Sequence, residues 1–200
     1  EHYVTIEIFS KLSAEQKRVL SALSIYREPM VLEALALQQL DTDELDNLVE
    51  SGLARQADST TYDVHDLIRE FLLRSLSPAL KEEFHAKCME WYEKQSPSNE
   101  VAIELIYHAI QSNQFETASE IIMDKGRHLV SQGHMELLGL LERIDTSDLE
   151  SKTVVLLGQL QGDILALLGR LATAEEVLNK ALEGAKAANN PSIEAEILSS

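Results

Sequence analysis

The chain is poor in residues that interrupt or cross-link a fold. Its 200 residues include one cysteine, four prolines and eight glycines. A lone Cys88 cannot close an internal disulfide, and this fits the reducing environment of a cytoplasmic protein. So few glycines and prolines argue against a many-turned β protein and favour helices. Positive charge is also scarce: 17 Lys and Arg stand against 34 Asp and Glu, a formal net charge of −17. Nucleic-acid affinity comes mainly from cations that neutralise phosphates, so this balance argues against DNA or RNA as a partner. It also argues against an anionic membrane surface. No apolar run reaches the length of a membrane span, and no signal peptide is evident. There is no G-x-x-x-x-G-K-[ST] anywhere, hence no P-loop, and no Walker B-like acidic end to an apolar strand.

The remaining composition, 44% hydrophobic and 26% charged, is that of a globular protein. Residues 1–10 carry no strong pattern and read as a lead-in. Ser13-Ala14-Glu15-Gln16 has the form of a capping box, and Val19, Leu20 and Leu23 follow at helical spacing, predicting a helix over 13–24. Pro29 suits the first turn of a second helix bearing Val31, Leu32 and Leu35. Asp41 and Glu44 are placed to cap a third, with Leu45, Leu48 and Val49 on one face and Gly52 at its end.

The period then changes from helical to alternating. Residues 53–57 and 61–65 read as two short strands around an Asp58-Ser59-Thr60 turn, and helix returns at 66–76. Three helices, one hairpin and a closing helix are the ingredients of a winged helix, assigned to residues 1–76.

From Ser77-Pro78 onward every segment reads as helix, with breaks near 95–99, 112–114, 131–133, 144–149, 169–170 and 189–191. Leu80, Phe84, Cys88 and Trp91 form the first stripe, and Trp91 and Tyr92 read as the joint between the winged helix and a helical arm. "NQFETASEII" at 113–122 superposes on "GRLATAEEVL" at 169–178. Gly162, Gly169, Ala174, Leu178 and Ala181 have the small-residue spacing of a tetratricopeptide repeat, where paired helices cross closely. Residues 77–200 are therefore assigned to a tetratricopeptide-like helical-repeat array. A repeat opening again at about residue 192, with a first residue other than Met, leads to the expectation of a piece of a longer protein, truncated at its C-terminal end.

Several candidate sites are weak on residue chemistry alone. The third helix, with Asp41, Asp43, Glu44, Asp46 and Glu50 and no cation, is ill suited to a major groove. His85 and Cys88 stand three apart on a helix, but two ligands do not make a zinc site. His108, His128 and His134 read as ordinary surface or core-edge histidines. No local motif marks a serine or cysteine nucleophile. At "TYDVHDLIREF", alternation with Tyr62 and Val64 facing inward puts His65 on the outer side and Asp66 at a helix-capping position. Local physics is satisfied by a capping aspartate beside a surface histidine.

The order "LSAEQKRVLSALSIYREPM … LDNLVESGLARQADSTTYDVHDLIREFLL" resembles the winged-helix domain of STAND-class signalling NTPases, the superfamily of NB-ARC proteins, plant resistance proteins and MalT-type activators. Val64-His65-Asp66 resembles their Met-His-Asp motif, with Val for Met. "YHAIQSNQFETASEII" resembles the tetratricopeptide-like arm of many members. The resemblance implies a mainly α fold: a winged helix with one small hairpin, then an α-α superhelical array. It implies a non-catalytic sensor and interaction region whose own nucleotide-binding domain, with its ADP or ATP, lies outside this chain. It implies that His65 contacts the ADP phosphates, that Asp66 supports the local geometry, and that the array takes a protein or peptide ligand. Two other readings stay open: a winged-helix transcription regulator with a tetratricopeptide-like effector arm, and a free-standing tetratricopeptide scaffold.

Overall fold

The computed structural model describes residues 9–38, 40 and 43–187. The lead-in segment, the capping role expected of Asp41 and the helix expected from residue 192 fall outside the described residues. The chain is mainly α-helical with one small sheet, and it divides into two compact units, Glu1–Gln95 and Ser96–Ser200.

The first unit is built around helix α1, Ala14–Ile25. Its start is the expected capping box: Gln16 N–H donates to Ser13 Oγ at 3.0 Å, and Ser13 N–H donates to Gln16 Oε1 at 3.1 Å. Every residue from Val19 to Ile25 is buried, so α1 is a central helix rather than a surface one. Pro29 does not open a long second helix. Met30–Val31 form a strand, β1, and only Leu32–Ala36 are helical, as α2. Helix α3, Asp43–Glu50, closes at Gly52, whose φ of 71° allows Leu53 N–H to reach Leu48 C=O at 2.9 Å.

Strands β2, Ala54–Gln56, and β3, Thr61–Val64, form the expected hairpin. Asp58 builds its turn by accepting from the Thr60 and Thr61 N–H groups at 2.7 and 2.9 Å. The sheet has three strands rather than two, in the order β1-β3-β2. Met30 pairs with Tyr62 and Val31 with Thr61, so backbone groups on the far side of β3 are satisfied by β1. Helix α4 follows as Asp66–Ser75.

Helix α5, Pro78–Tyr92, starts as expected, with Ser77 accepting from Leu80 N–H at 3.3 Å and Pro78 in the first turn. Its packing differs from expectation. Phe84, Cys88 and Tyr92 are buried within the first unit: Gln38 Nε2 donates to Phe84 C=O at 3.3 Å, and the Tyr92 ring lies 6.5 Å from that of Tyr26. The boundary placed between residues 76 and 77 therefore falls after Gln95. Helical periodicity marks a buried face but does not say which neighbour buries it.

The second unit is a helical-repeat array of α6, Asn99–Gln111; α7, Phe115–Ser131; α8, Leu137–Leu141; α9, Ser151–Leu167; and α10, Leu171–Ala187. The aligned segments share one turn. Asn113 and Gly169 both take left-handed φ values, 58° and 73°. Gln114 N–H then reaches Ala109 C=O at 2.8 Å, and Arg170 N–H reaches Leu165 C=O at 2.9 Å. Ala118 and Ala174, a further matched pair, are both buried. Helices α9 and α10 approach closely enough that a Cβ on Gly162 would lie 2.5 Å from Leu178 Cγ.

Gly162→Ala should destabilise the chain by about 2 kcal/mol through overpacking. Gly139→Ala, where an added Cβ meets nothing within 4 Å, should be neutral or mildly stabilising. Urea denaturation of both variants checks this contrast.

Candidate functional site

The exit of the central strand is where chemistry-bearing side chains gather. Asp63 on β3 faces Arg55 on β2 directly across the hairpin. Alternation should put Asp63 and Val64 on opposite faces, one dry and one wet, yet both are buried. Asp63 Oδ2 accepts from Arg55 Nη2 at 2.6 Å and Nε at 3.2 Å. Its Oδ1 accepts from Arg69 Nη2 and from Val64 N–H at 2.8 Å. The carboxylate in turn holds the Arg55 guanidinium more firmly protonated, through the hydrogen bond first and its charge second.

Arg69 comes from the first turns of α4 and reaches further. Its Nη1 donates to the C=O groups of Ser24 at 3.0 Å and of Tyr26. These carbonyls lie at the C-terminal end of α1, whose last turn carries no basic residue of its own. The guanidinium therefore supplies both hydrogen bonds and positive charge where a helix end needs them. Asp63 and Arg69 are largely buried, with side chains 7% and 17% exposed. Sequence reasoning passed over this pair. The available signal was an aspartate inside a strand, where that residue is disfavoured, with Arg55 in register across the hairpin and Arg69 six residues further on.

The two site residues expected from sequence sit just beyond this lock. His65 is exposed, as alternation predicted. Asp66 is not the cap. His65 occupies the N-cap position, with φ −63° and ψ 141°, and makes no capping hydrogen bond; Asp66 is the first helical residue and is exposed. The Arg69 N–H bonds the His65 C=O at 2.9 Å, so the first turn closes on His65 and the cap position falls one residue before Asp66. Asp66 still acts electrostatically, at the helix N-terminus and toward Arg55.

The other candidates resolve differently. His85 and Cys88 are both buried. Cys88 lies 3.6 Å from Gln38 Nε2, and Trp91 is only half-buried. Tyr92 belongs to the core of the first unit rather than to a joint, with its hydroxyl 3.8 Å from Met30 Sδ. His108 is neither a surface nor an edge residue: it is fully buried, with Nε2 3.7 Å from Glu104 Oε2 one turn earlier. His134 Nδ1 is 2.9 Å from Glu136 Oε1. Among the described residues no group of three or more His, Cys, Asp or Glu could hold a metal ion. No helix among them is long and apolar enough to cross a membrane.

The fold defines the class: a small helical unit with a three-stranded sheet, followed by a helical-repeat array. One solved structure is similar, the crystal structure of a signal transduction ATPase with numerous domains (STAND) protein with a tetratricopeptide repeat sensor from Pyrococcus horikoshii. The likeness has a TM-score of 0.58 at 21% identity and covers 94% of this chain but 34% of that one. The chain thus spans about a third of the length of that protein. No protein-family profile and no curated protein matches it.

Removing one partner of a buried ion pair strands the other charge, so Asp63→Ala should cost about 3 kcal/mol. Asp66→Ala removes only an exposed first-turn carboxylate and should cost about 0.5 kcal/mol. Chemical denaturation measures both, and the order of the two values is the test.

Proposed function

We propose that this chain is the regulatory and interaction region of a STAND-type, nucleotide-switched signalling ATPase. In this reading the first unit is a winged helix and the second a tetratricopeptide-like sensor arm. The observation that carries the proposal is His65: exposed, making no capping bond, and placed at the end of a strand that Asp63 and Arg69 anchor to α1. The fold likeness to a STAND protein with a tetratricopeptide repeat sensor supports it.

The chemistry assigned to each residue follows from its position. A nucleotide-binding domain outside this chain would bring ADP against the exit of the hairpin. The bound diphosphate supplies negative charge. His65 donates a ring N–H to a phosphate oxygen, a charge-assisted bond. Asp66 holds the start of α4 in place and keeps the backbone aim of His65 constant. The Asp63–Arg69 pair makes that aim rigid, so the contact forms or fails as a unit. ADP then favours a closed form, ATP an open one, and the repeat array receives the difference. The chain supplies no P-loop and performs no catalysis of its own in this scheme. The array takes a protein or peptide ligand, and the setting is cytoplasmic.

DNA binding fits the surface poorly. Asp43, Asp46 and Glu50 are exposed on α3, the helix that would enter a groove.

In the polypeptide that also carries the nucleotide-binding domain, His65→Ala should speed ADP release about tenfold, the equivalent of one charge-assisted hydrogen bond. Asp66→Val should act in the same direction. Stopped-flow release of a fluorescent ADP measures both, and unchanged rates in the two variants would remove the role given to the motif.

A further inference from the structure

The strand exit carries more positive charge than its own buried carboxylate can cancel. Asp63 pairs with two guanidiniums, that of Arg55 at 2.6 Å and that of Arg69. One carboxylate balances one of them, so the trio keeps a net positive charge. The two arginines sit differently. Arg69 is largely buried and is committed to Asp63 and to the carbonyls at the end of α1. The Arg55 side chain is 58% exposed. The surplus therefore faces solvent at Arg55, in a chain whose formal net charge is −17.

Arg55 is also held ready to bond. Its Nε and Nη2 both donate to Asp63 Oδ2. A guanidinium is a planar fork of five N–H groups, so this grip fixes the direction of the ones left over. Nη1 has no hydrogen-bond partner among the described residues. The register puts it beside His65. Arg55 faces Asp63 across the hairpin, and His65 follows Asp63 by two residues through extended backbone, which returns it to the same side. Diagonal neighbours of this kind stand about 7 Å apart. Asp66 is near as well, and its charge acts on the Arg55 guanidinium. A guanidinium stays charged at any working pH, whereas an imidazole is charged only when protonated. Arg55 thus offsets Asp66 where an anion would approach His65.

We infer that Arg55 is a second phosphate contact at the strand exit, donating through Nη1 to the diphosphate that His65 also meets. The inference rests on the nucleotide-switch reading above and adds a permanently charged residue to its site. The chemistry of a diphosphate suits the pair. A carboxylate has two oxygens on one carbon and is satisfied by the fork of one guanidinium. A diphosphate carries oxygens on two phosphorus atoms and accepts from a guanidinium and an imidazole at once. Asp63 is then a positioning residue: it grips Arg55 along one edge and leaves the other edge to the ligand.

The test extends the release of fluorescent ADP to Arg55→Gln, alone and combined with His65→Ala, in a polypeptide carrying this region and the nucleotide-binding domain proposed for it. Arg55 is exposed and Arg69 stays paired with Asp63, so the variant should fold, and circular dichroism verifies that it does. Arg55→Gln should speed release about tenfold. It should still speed release several-fold in the His65→Ala background, since each side chain holds an oxygen of its own. Arg74→Gln removes an equal charge from an exposed position about two turns beyond Asp66 on α4 and should change release less than about twofold. Unchanged release in Arg55→Gln overturns the inference. So does an effect of Arg55→Gln that vanishes once residue 65 is alanine, because Arg55 would then only aim the imidazole. An equal effect of Arg74→Gln overturns it too, because net charge alone would then act. Faster release in His65→Ala with none in Arg55→Gln removes the Arg55 contact and leaves the role of His65 standing. The opposite pattern removes the role of His65 and keeps Arg55 as the phosphate contact, so the two ideas fail separately.

Discussion

One guanidinium organises the end of the hairpin. Arg69 leaves the start of α4, bonds Asp63 on the central strand, and caps the carbonyls at the end of α1. The strand exit and the end of α1, 45 residues apart in sequence, are thereby fixed at one point. A buried ion pair of this kind adds little net stability compared with a well-packed apolar substitute, but breaking it is costly. Its effect is to penalise alternative placements of the strand exit, and His65 inherits that definition because it sits one residue past Val64. A surface histidine on a free loop would point in many directions. This one leaves a strand paired on both sides and enters a helix whose first turn is already closed.

The parts legible in the sequence are those governed by local chemistry. The Ser13–Gln16 box, the glycine stop at residue 52, the Asp58 turn and Pro78 in the opening turn of α5 each involve residues within a few positions of one another, and each forms as read. The repeat was legible for the same reason: Asn113 and Gly169 are residue types that tolerate a left-handed turn, and both adopt one. What was hidden depends on partners far away. Met30–Val31 become a strand only because the edge of β3 is there to receive them. Helix α5 has the same periodicity whichever unit covers it, and Tyr26, Gln38 and Met30 decide the matter. Asp63 and Arg69 look like ordinary charged residues until the strand-to-helix turn folds one over the other. The exposure of His65 followed from alternation, while Asp66 was displaced from its expected cap by a single residue, the usual scale of uncertainty at a helix end.

The two units solve their packing with different means. The first closes around polar fixings, Arg69 with Asp63 and Gln38 against Phe84 C=O. The second relies on small residues that let helices approach, with Gly162 against Leu178 and Gly126 against Leu160. Directional bonds fix the placement of the strand exit in the first unit. Close, non-directional packing suits an array in which each helix rests on its neighbours.

The central claim is that the strand exit aims His65 at a diphosphate held by another domain. The most direct measurement is the structure of a polypeptide carrying both this region and the nucleotide-binding domain proposed for it, determined with ADP bound. A His65 ring nitrogen is expected within about 3 Å of a phosphate oxygen, with the Asp63–Arg69 pair intact behind it. A His65 ring in open solvent, remote from the nucleotide, would contradict the claim.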